Sequence, residues 1–411
     1  MYILKKSILF KIQQFPHLSE TFILDQIILA IEAGYKVRVI VKDVLDFEKS
    51  THLKKIKKYG IDEKIIVENY KIPTNKFIRF FKAGIIVLKF FRKLNRIWKY
   101  QRLKTKFSLT WIYEFAFYNQ FNTTDIIHVQ YGTNVHPVDL LKHIGLLKGR
   151  MIVSFHGHDA FFPINGFIQN NGYYDYLFRG DNLIVANTPY LAEKIEQLGC
   201  EKKNLAIIPV PINTKFFTPA KFIKENKSLQ LINVGRLDPI KGQSVALDFI
   251  SMILKNNIEV HLIIIGEGRE YLKLKRKIFE LSLEKNVTLI GRKNQKEVRE
   301  LLRNSDIYLF TGMPVEEGRR ETQGLATLEA QACGLPVLAF DSGGVKYTVE
   351  RNETGFLCKE NDLHCLLEKF YFLRDNNLRL QMGQNARVFT EKEFSKNVIK
   401  KKWKEIYDAS V

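Results

Sequence analysis

The stretch ETQGLATLEAQACGLPVLAFDSGG, residues 321–344, places a helical pattern directly before a buried strand and a double glycine. We predict that the helix begins near Thr322 and ends at Gly334, because glycine commonly terminates helices and Pro336 follows at once. The apolar run PVLAF then predicts a strand. This order of helix, turn and buried strand is typical of parallel α/β sheets.

Two carboxylates belong to this stretch and have different settings. Glu321 stands at the predicted helix N-terminus, whereas Glu329 lies inside an otherwise apolar helix. A buried carboxylate needs hydrogen-bond donors, which the vicinal hydroxyls of a ribose would supply. The free N–H groups at the helix start favour a diphosphate nearby. The alternative is a capping glutamate followed by an ordinary surface glutamate, and the spacing alone does not separate the two interpretations.

Outward from this stretch, short runs rich in Ile and Val alternate with helical patterns along nearly the whole chain. This alternation predicts parallel βαβ units. The periodicity weakens at residues 211–228, which we interpret as a linker. We therefore predict an α/β protein with two doubly wound Rossmann-like domains and a deep interdomain cleft. The predicted boundaries are 1–212 for the first domain and 213–390 for the second, with a C-terminal helix at 391–411 that packs back toward the first.

Composition excludes several classes of protein. The chain has 411 residues, of which 45% are apolar and 26% charged, as in globular proteins. The sequence contains no apolar run long enough to span a bilayer, and we interpret the N-terminus as a strand and not as a signal peptide. The four cysteines show neither metal-ligand spacing nor a disulfide-dense framework, which favours a reducing cytoplasm. The net charge of +20 predicts an anionic partner.

Much of that charge lies in residues 76–107, which carry eleven Lys or Arg and no acid. On a helical wheel the basic and apolar side chains separate; the basic side holds Lys82, Lys89, Arg92, Lys93, Arg96 and Lys99, and the apolar side holds Phe80, Val87, Phe90, Phe91, Leu94, Ile97 and Trp98. A basic amphipathic helix with aromatic residues fits the headgroup layer of an anionic membrane. The alternative is a helix that faces the core and has a solvated basic back.

Several motifs together resemble the retaining glycosyltransferases of family 4, which have the GT-B fold. The strongest are the Glu321–Glu329 segment and VGRLDPIKG at 234–242. Weaker matches extend the resemblance over nearly the full length, namely LIIIGEG at 262–268, VTLIGR at 287–292 and NETGFLC at 352–358. In the first half, three segments are similar to the branch that builds exopolysaccharides and other cell-surface glycans, namely FPHLSETFI at 15–23, HVQYG at 128–132 and VSFHGHDA at 153–160.

The resemblance implies a nucleoside diphosphate sugar as donor substrate, bound by the second domain. Glu329 would bind the ribose hydroxyls, and Glu321 the sugar. The residues expected to contact the donor are Arg236, Lys241, Gly291, Arg292, Glu321, Gly324, Leu325 and Glu329. The departing diphosphate gains negative charge, which two cations could stabilise in place of Mg²⁺. We therefore predict no metal site and no cofactor, with a UDP-sugar favoured over a GDP-sugar.

The resemblance also implies a role for the first domain at the reacting sugar. His156 matches the histidine that faces the anomeric carbon and is expected to bind the sugar by its side chain or its main-chain carbonyl. The catalytic residues predicted are His156, Glu321, Arg236 and Lys241. His158 and Asp159 belong to the same loop, where Asp159 would orient a histidine or contact the acceptor. The alternative is that a lone histidine after a strand is structural.

The sequence departs from the family pattern at two places. Ser19, Glu20 and Thr21 stand where relatives often have a glycine-rich turn, so this loop is expected to serve the acceptor or the donor phosphates. Thr322 and Gln323 stand where the family commonly has Gly-Phe, which is expected to alter the fit of the donor sugar.

The resulting hypothesis is a retaining, metal-independent hexosyltransferase that extends a polyprenyl-diphosphate-linked glycan. It would be cytoplasmic and peripheral on the inner face of the cytoplasmic membrane, held there by residues 76–107. Retention would proceed by front-face substitution, as the resemblance implies. Alternatives are another nucleotide-sugar enzyme of the GT-B fold and a non-catalytic scaffold. A nucleic-acid-binding protein is disfavoured, because the sequence contains no nucleic-acid-binding motif and the predicted helix with Glu321 and Glu329 would be unexplained.

Overall fold

The computed structural model describes residues 6–16, 21–48, 50, 52–104, 108–161, 172–220, 228–315 and 318–410. The chain divides into two compact units. The first consists of Met1–Ala186, Lys194–Ala206 and Lys402–Val411, and the second of Asn187–Glu193 and Ile207–Lys401. Each unit is built on one sheet with helices, so the predicted fold class of two Rossmann-like domains is confirmed.

Within its described residues, the first unit has a seven-stranded sheet in the order β3-β2-β1-β4-β5-β6-β7. Its strands are β1 (Ser7–Phe15), β2 (Lys36–Val44), β3 (Ile65–Val67), β4 (Ile126–Gln130), β5 (Arg150–Ser154), β6 (Leu183–Ala186) and β7 (Leu205–Ile207). Neighbouring strands from β3 to β6 pair in parallel. Parallel sheets are covered on both faces, and accordingly all five residues of β4 are buried.

The helices of the first half begin with a largely buried helix after β1 and continue through a series of shorter segments. They are α1 (Thr21–Glu32), α2 (Leu53–Lys58), α3 (Lys76–Lys89), α4 (Leu94–Leu103), α5 (Thr110–Asn119), α6 (Val138–His143), α7 (His158–Phe161), α8 (Asp175–Phe178) and α9 (Pro189–Gln197). Helix α3 begins after Asn75, whose side chain accepts hydrogen bonds from two backbone N–H groups of the first turn.

The basic segment differs from the single helix placed on the wheel. Helix α3 ends at Lys89, a short 3-10 turn spans Phe91–Lys93, and α4 begins at Leu94. The break follows Phe90, whose ring packs edge-on against that of Phe115 of α5, with 6.0 Å between the ring centroids. The predicted apolar side is divided as well, since Ile97 is buried whereas Trp98 is exposed. Residues 105–107 lie outside the described part of the chain.

The second unit, within its described residues, has a six-stranded parallel sheet in the order β10-β9-β8-β11-β12-β13. The strands are β8 (Leu229–Val234), β9 (Val260–Ile265), β10 (Val287–Gly291), β11 (Ile307–Phe310), β12 (Val337–Phe340) and β13 (Gly355–Cys358). The helices are α10 (Gln243–Lys255), α11 (Tyr271–Glu280), α12 (Gln295–Arg303), α13 (Leu325–Ala332), α14 (Leu363–Leu373), α15 (Asn376–Phe394) and α16 (Lys396–Ala409). Helix α16 begins in the second unit and continues into the first, which includes the chain from residue 402 onward.

Residues 321–344 have the predicted order of helix, glycine turn and strand, but the helix begins at Leu325 and not near Thr322. Gly324, directly before it, has a left-handed conformation with φ of 82°, so Glu321 precedes the helix and is not part of its first turn. Helix α13 is followed by Gly334 in a left-handed conformation, with φ of 86°, and then by the fully buried strand β12. Both apolar sides of the strand face helices, which explains why VLAF shows no alternation of apolar and polar residues.

The cysteines include one bonded pair that the sequence did not predict. Cys358 at the end of β13 and Cys365 in the first turn of α14 form a disulfide. Cys200 and Cys333 are buried thiols. In the described part of the chain, no helix is both long and apolar enough to cross a bilayer.

Candidate functional site

The turn after β8 carries Lys241 at the carboxyl end of the second sheet. A short 3-10 turn, Pro239–Lys241, leads from the strand toward α10. Gly242 follows with φ of 69°, and a Cβ there would lie 1.9 Å from the carbonyl oxygen of Thr311, just after β11. Glycine is therefore required directly after Lys241, because the two strand ends approach too closely for any side chain.

Lys241 and Glu321 form an ion pair between residues 80 positions apart. The Glu321 carboxylate also accepts a hydrogen bond from the backbone N–H of Gly324, at 3.3 Å, directly before α13. Burial alone would raise the pKa of Glu321, but the Lys241 ammonium and these backbone donors hold it below its usual value. Glu321 is therefore ionised at neutral pH.

The double glycine positions Glu321 through the backbone. The N–H of Gly344 donates to the carbonyl oxygen of Glu321 at 2.7 Å. A Cβ on Gly344 would lie 1.8 Å from the carbonyl oxygen of Thr322. The turn after β12 can thus pack directly against the segment before α13 only because it has no side chain there, which answers why two glycines follow the strand.

A second ion pair, which the sequence did not predict, precedes Glu321. Arg320 donates two hydrogen bonds to Glu360, with Nε–Oε1 at 2.6 Å and Nη2–Oε2 at 2.9 Å. The hydrogen bond from Arg320 lowers the pKa of Glu360. Glu360 lies in the loop that the Cys358–Cys365 disulfide closes. This bidentate pair therefore ties the chain before Glu321 to the loop after β13.

Glu329 lies on α13 and retains partial contact with solvent. It is nevertheless surrounded by enough protein that loss of hydration raises its pKa to about 7. Among the residues that the structure describes, none donates a hydrogen bond to its carboxylate. The side chain therefore titrates near neutral pH, and its oxygens can accept hydrogen bonds from a ligand.

The remaining predicted donor residues lie at the same carboxyl edge of the parallel sheet. Arg236 is exposed, and no carboxylate in the described ranges pairs with its guanidinium. Gly291 ends β10 with φ of 82°, and next to it Arg292 pairs with Glu267 at 3.2 Å on the surface. Leu325 is exposed at the first position of α13. The edge therefore combines the cationic side chains of Arg236, Lys241 and Arg292 with the glutamates Glu267, Glu321 and Glu329.

Gln323 has a structural contact of its own. The side chain is buried, and its amide accepts a hydrogen bond from the N–H of Val210 and donates one to the carbonyl oxygen of Val210, each at 2.9 Å. The hydroxyl of Thr188 donates to the carbonyl oxygen of Thr322 at 2.7 Å. The predicted effect of these two residues on the donor sugar stays a prediction.

In the first unit, Asp159 organises the loop after β5 through the main chain. Its carboxylate accepts hydrogen bonds from the backbone N–H groups of Gly132 at 2.9 Å, His156 at 3.0 Å and Gly157 at 2.9 Å. Burial raises the pKa of Asp159 to about 6, and these donors oppose that rise. Asp159 thus orients the backbone of His156 and not its imidazole.

The His156 ring lies between two aromatic side chains, with centroids 4.7 Å from Phe22 and 4.6 Å from Tyr131. Burial lowers the pKa of His156 to about 3, so the imidazole is neutral over the physiological range. His158 is exposed, and Thr21 is the first residue of α1. Ser19 and Glu20, which were predicted to contact the acceptor or phosphates, lie outside the described residues.

No cluster of three or more His, Cys, Asp or Glu side chains that could hold a metal ion occurs within the described ranges. The structure thus brings Lys241 and Glu321 into direct contact and places Asp159 on the backbone of His156. It assigns partners to residues that sequence reasoning passed over, above all Gln130, which accepts a hydrogen bond from the His156 imidazole at 3.0 Å.

Comparison with known families finds one model that covers the second half. The family of glycosyl transferases group 1 matches residues 215–389. A protein of Escherichia coli strain K12 assigned to colanic acid biosynthesis, the glycosyltransferase WcaL, is 26% identical over 95% of this chain and 96% of its own length. An uncharacterized glycosyltransferase of Haemophilus influenzae strain Rd is 31% identical over 57% of this chain and 67% of its own.

A solved structure shows the same fold over the whole chain. The Anabaena protein Alr3699/HepE, crystallised in complex with UDP, superposes with a TM-score of 0.69 and 17% sequence identity. The match covers 98% of this chain and 100% of that protein.

Proposed function

Because this chain belongs to the group 1 glycosyl transferases, we propose that it moves a sugar, with retention of configuration, from a UDP-sugar to a lipid-linked glycan of a cell-surface polysaccharide. The observation that carries the proposal is the composition of one sheet edge. Glu329, with a pKa of about 7, lies on α13, and the segment directly before α13 holds the ionised Glu321 paired with Lys241. The relative assigned to colanic acid biosynthesis supports the polysaccharide assignment.

The proposed donor site uses charges of both signs. Glu329 would accept hydrogen bonds from the ribose hydroxyls. Lys241 and Arg236 would contact the diphosphate, where negative charge grows as the bond from the β-phosphate oxygen to the anomeric carbon breaks. Because Lys241 is already held by Glu321, its ammonium needs little reorganisation when that charge develops. Two cations would serve in place of a metal ion, and a neighbour of the same fold that binds UDP favours UDP over GDP.

His156 is proposed to bind the sugar without transferring a proton. Its pKa of about 3 leaves the imidazole neutral, so it is not a general acid above about pH 4. The N–H groups of residues 156 and 157 donate to the Asp159 carboxylate, so their main chain would instead lie at a fixed position beside the sugar. No proton donor is required at this position if the leaving diphosphate is stabilised by cations.

Donor affinity is predicted to rise with pH. The ionised form of Glu329 accepts hydrogen bonds from ribose better than the protonated form does. Since the pKa of Glu329 is about 7, affinity should increase from about pH 6 to about pH 8 and then level off. UDP-glucose is the suitable probe in calorimetry, because its diphosphate does not titrate there. Glu329→Gln should give a flat profile, and an equal slope in that variant would contradict the assignment.

The proposed membrane contact is the exposed surface of α3 and α4. Phe77 is 86% exposed and Leu88 74%, and the other exposed apolar residues of this surface are Ile78, Phe80, Phe81, Ile85, Phe91, Leu94 and Trp98. An apolar surface of this kind, interspersed with lysines and arginines and free of acids, complements an anionic bilayer. We propose that it holds the protein on the inner face of the cytoplasmic membrane, next to a polyprenyl-diphosphate-linked acceptor.

A triple variant with Phe77, Phe81 and Leu88 replaced by serine is expected to bind anionic vesicles on the order of a hundredfold more weakly. Loss of each apolar side chain removes roughly 1 kcal/mol or more from the free energy of vesicle binding. Vesicle cosedimentation measures this loss. The matched control replaces Leu272 and Phe279 of α11, which are 75% and 73% exposed. Equal binding by the triple variant and the control would show that the lipid contact lies elsewhere.

The transfer reaction itself is tested with purified protein, membrane lipid extract and a panel of labelled UDP- and GDP-sugars. We expect label from one UDP-sugar to enter the lipid-extractable fraction in the presence of a chelator. The anomeric coupling constant of the product then reports retention or inversion. Incorporation from a GDP-sugar alone, or an inverted product, would overturn the corresponding part of the proposal.

A further inference from the structure

A network of buried, hydrogen-bonded side chains leads to His156 in the first unit. His128 and Gln130 lie two positions apart on β4 and therefore on the same face of the sheet. Both are fully buried, as is Tyr407 of α16, and Ser154 at the end of β5 is nearly so. Burial of so many polar groups is unfavourable unless they satisfy one another, so their hydrogen bonds fix a common arrangement.

His128 lies at one end of this network. Its Nδ1 lies 2.8 Å from the Tyr407 hydroxyl, and its Nε2 lies 2.8 Å from the Ser154 hydroxyl. Burial lowers the pKa of His128 to about 3, so the ring is neutral, with one nitrogen donating and the other accepting.

The amide of Gln130 connects His128 to His156. Its Nε2 donates to Oε1 of Gln26 at 2.6 Å and lies 3.4 Å from Nε2 of His128. Its Oε1 faces His156 and lies 3.0 Å from Nε2 of that ring. Since an amide oxygen can only accept, this orientation requires the His156 proton to be on Nε2.

We propose that Gln130 is a positioning residue for sugar transfer, which fixes both the ring and the tautomer of His156, and that His128 and Tyr407 hold Gln130 in turn. This inference rests on the proposed function, which assigns His156 to the donor sugar. The Nε2 proton of His156 points toward Gln130 and is therefore not delivered to the reacting oxygen. With Asp159 on the backbone and Gln130 on the ring, His156 contributes a rigid, neutral surface.

A spectroscopic experiment tests the contact without any assumption about activity. Long-range proton–nitrogen correlation spectra of ¹⁵N-histidine-labelled protein distinguish the two neutral tautomers, and the spectrum of His156→Gln assigns the signal. The wild-type protein is expected to show the Nε2–H form of His156 at pH 7. Gln130→Met should shift His156 to a mixture of tautomers. Gln130→Glu, which retains an acceptor oxygen, should keep His156 in the Nε2–H form.

Kinetics then test whether the positioning matters for transfer. Gln130→Met is expected to lower kcat on the order of tenfold to a hundredfold, because small misplacements of a reaction centre have effects of that size, while KM for the donor stays within about threefold. Gln130→Glu should recover most of the rate. Asn182→Leu, which removes another buried amide of the same unit, serves as the control for general destabilisation.

The outcomes separate the two proposals. An Nδ1–H tautomer of His156 in the folded wild-type protein would overturn the inference, and so would a Gln130→Met variant with wild-type tautomer and kcat. If the wild-type protein transfers no sugar yet shows the Nε2–H form that Gln130→Met abolishes, the structural contact stands and the proposed function fails.

Discussion

Replacement of Lys241 by alanine is expected to lower kcat for sugar transfer by roughly 10²–10³-fold, the range observed when one preorganised group that stabilises a developing charge is removed. Lys241 would meet the diphosphate as it gains charge, and Glu321 holds the ammonium in place. The effect should appear in kcat more than in KM for the donor, because the charge is larger in the transition state than in the bound substrate.

The matched control is Lys277→Ala. Lys277 is 24% exposed, close to the 20% of Lys241, and it also pairs with a carboxylate in the same unit, that of Asp248. Both variants should unfold within a few degrees of one another in thermal denaturation. A Lys241→Ala variant that retains the rate of Lys277→Ala would refute the role of this lysine at the leaving group.

Replacement of Glu329 by alanine is expected to weaken donor binding by roughly a hundredfold at pH 8. Each hydrogen bond to a charged group contributes about 1.5–3 kcal/mol, and the ribose offers two hydroxyls. Glu280→Ala, on the exposed end of α11, is the control for loss of a glutamate. The folded state of the variant should not suffer, because the carboxylate has no hydrogen-bond donor among the described residues to lose.

A ligand-side comparison makes this prediction specific. The 2′,3′-dideoxy form of UDP lacks the hydroxyls that Glu329 would bind, so the wild-type protein should bind it about as weakly as Glu329→Ala binds UDP. The variant should then treat UDP and the dideoxy analogue alike. If both proteins discriminate between the two nucleotides to the same extent, another residue binds the ribose.

The strands were predictable because parallel sheets bury both faces, which leaves continuous Ile and Val runs in the sequence. The exception is β3, Ile65–Val67, which is three residues long and lies between charged residues. So short an edge strand carries no periodicity of its own. Its existence depends on pairing with β2, which only the folded chain supplies.

The break in the basic segment was not predictable for a related reason. A helical wheel shows that residues 76–107 are amphipathic, but it contains nothing about α5. Contact between Phe90 and Phe115 of α5 accompanies the end of α3. Burial within this segment thus depends on contacts with other elements of the fold, which a helical wheel does not contain.

The sequence indicated where the candidate residues lie on the strands, turns and helices, but not how they contact one another. The spacing of Glu321 and Glu329 could be read directly, whereas the ion pair of Glu321 with Lys241 joins distant parts of the sequence. The main-chain role of Asp159 and the amide of Gln130 leave no pattern at all, because hydrogen-bond direction depends on positions that only the fold brings together.

The most direct measurement is a calorimetric titration of the wild-type protein with UDP, GDP and ADP at pH 8 in the presence of a chelator, repeated with Glu329→Ala. We predict that UDP binds selectively without divalent metal and that the substitution removes most of its affinity. Tight UDP binding that is unchanged in Glu329→Ala, or binding that requires a divalent metal ion, would contradict a donor site built from Glu329 on α13 and the side chains of Lys241 and Arg236.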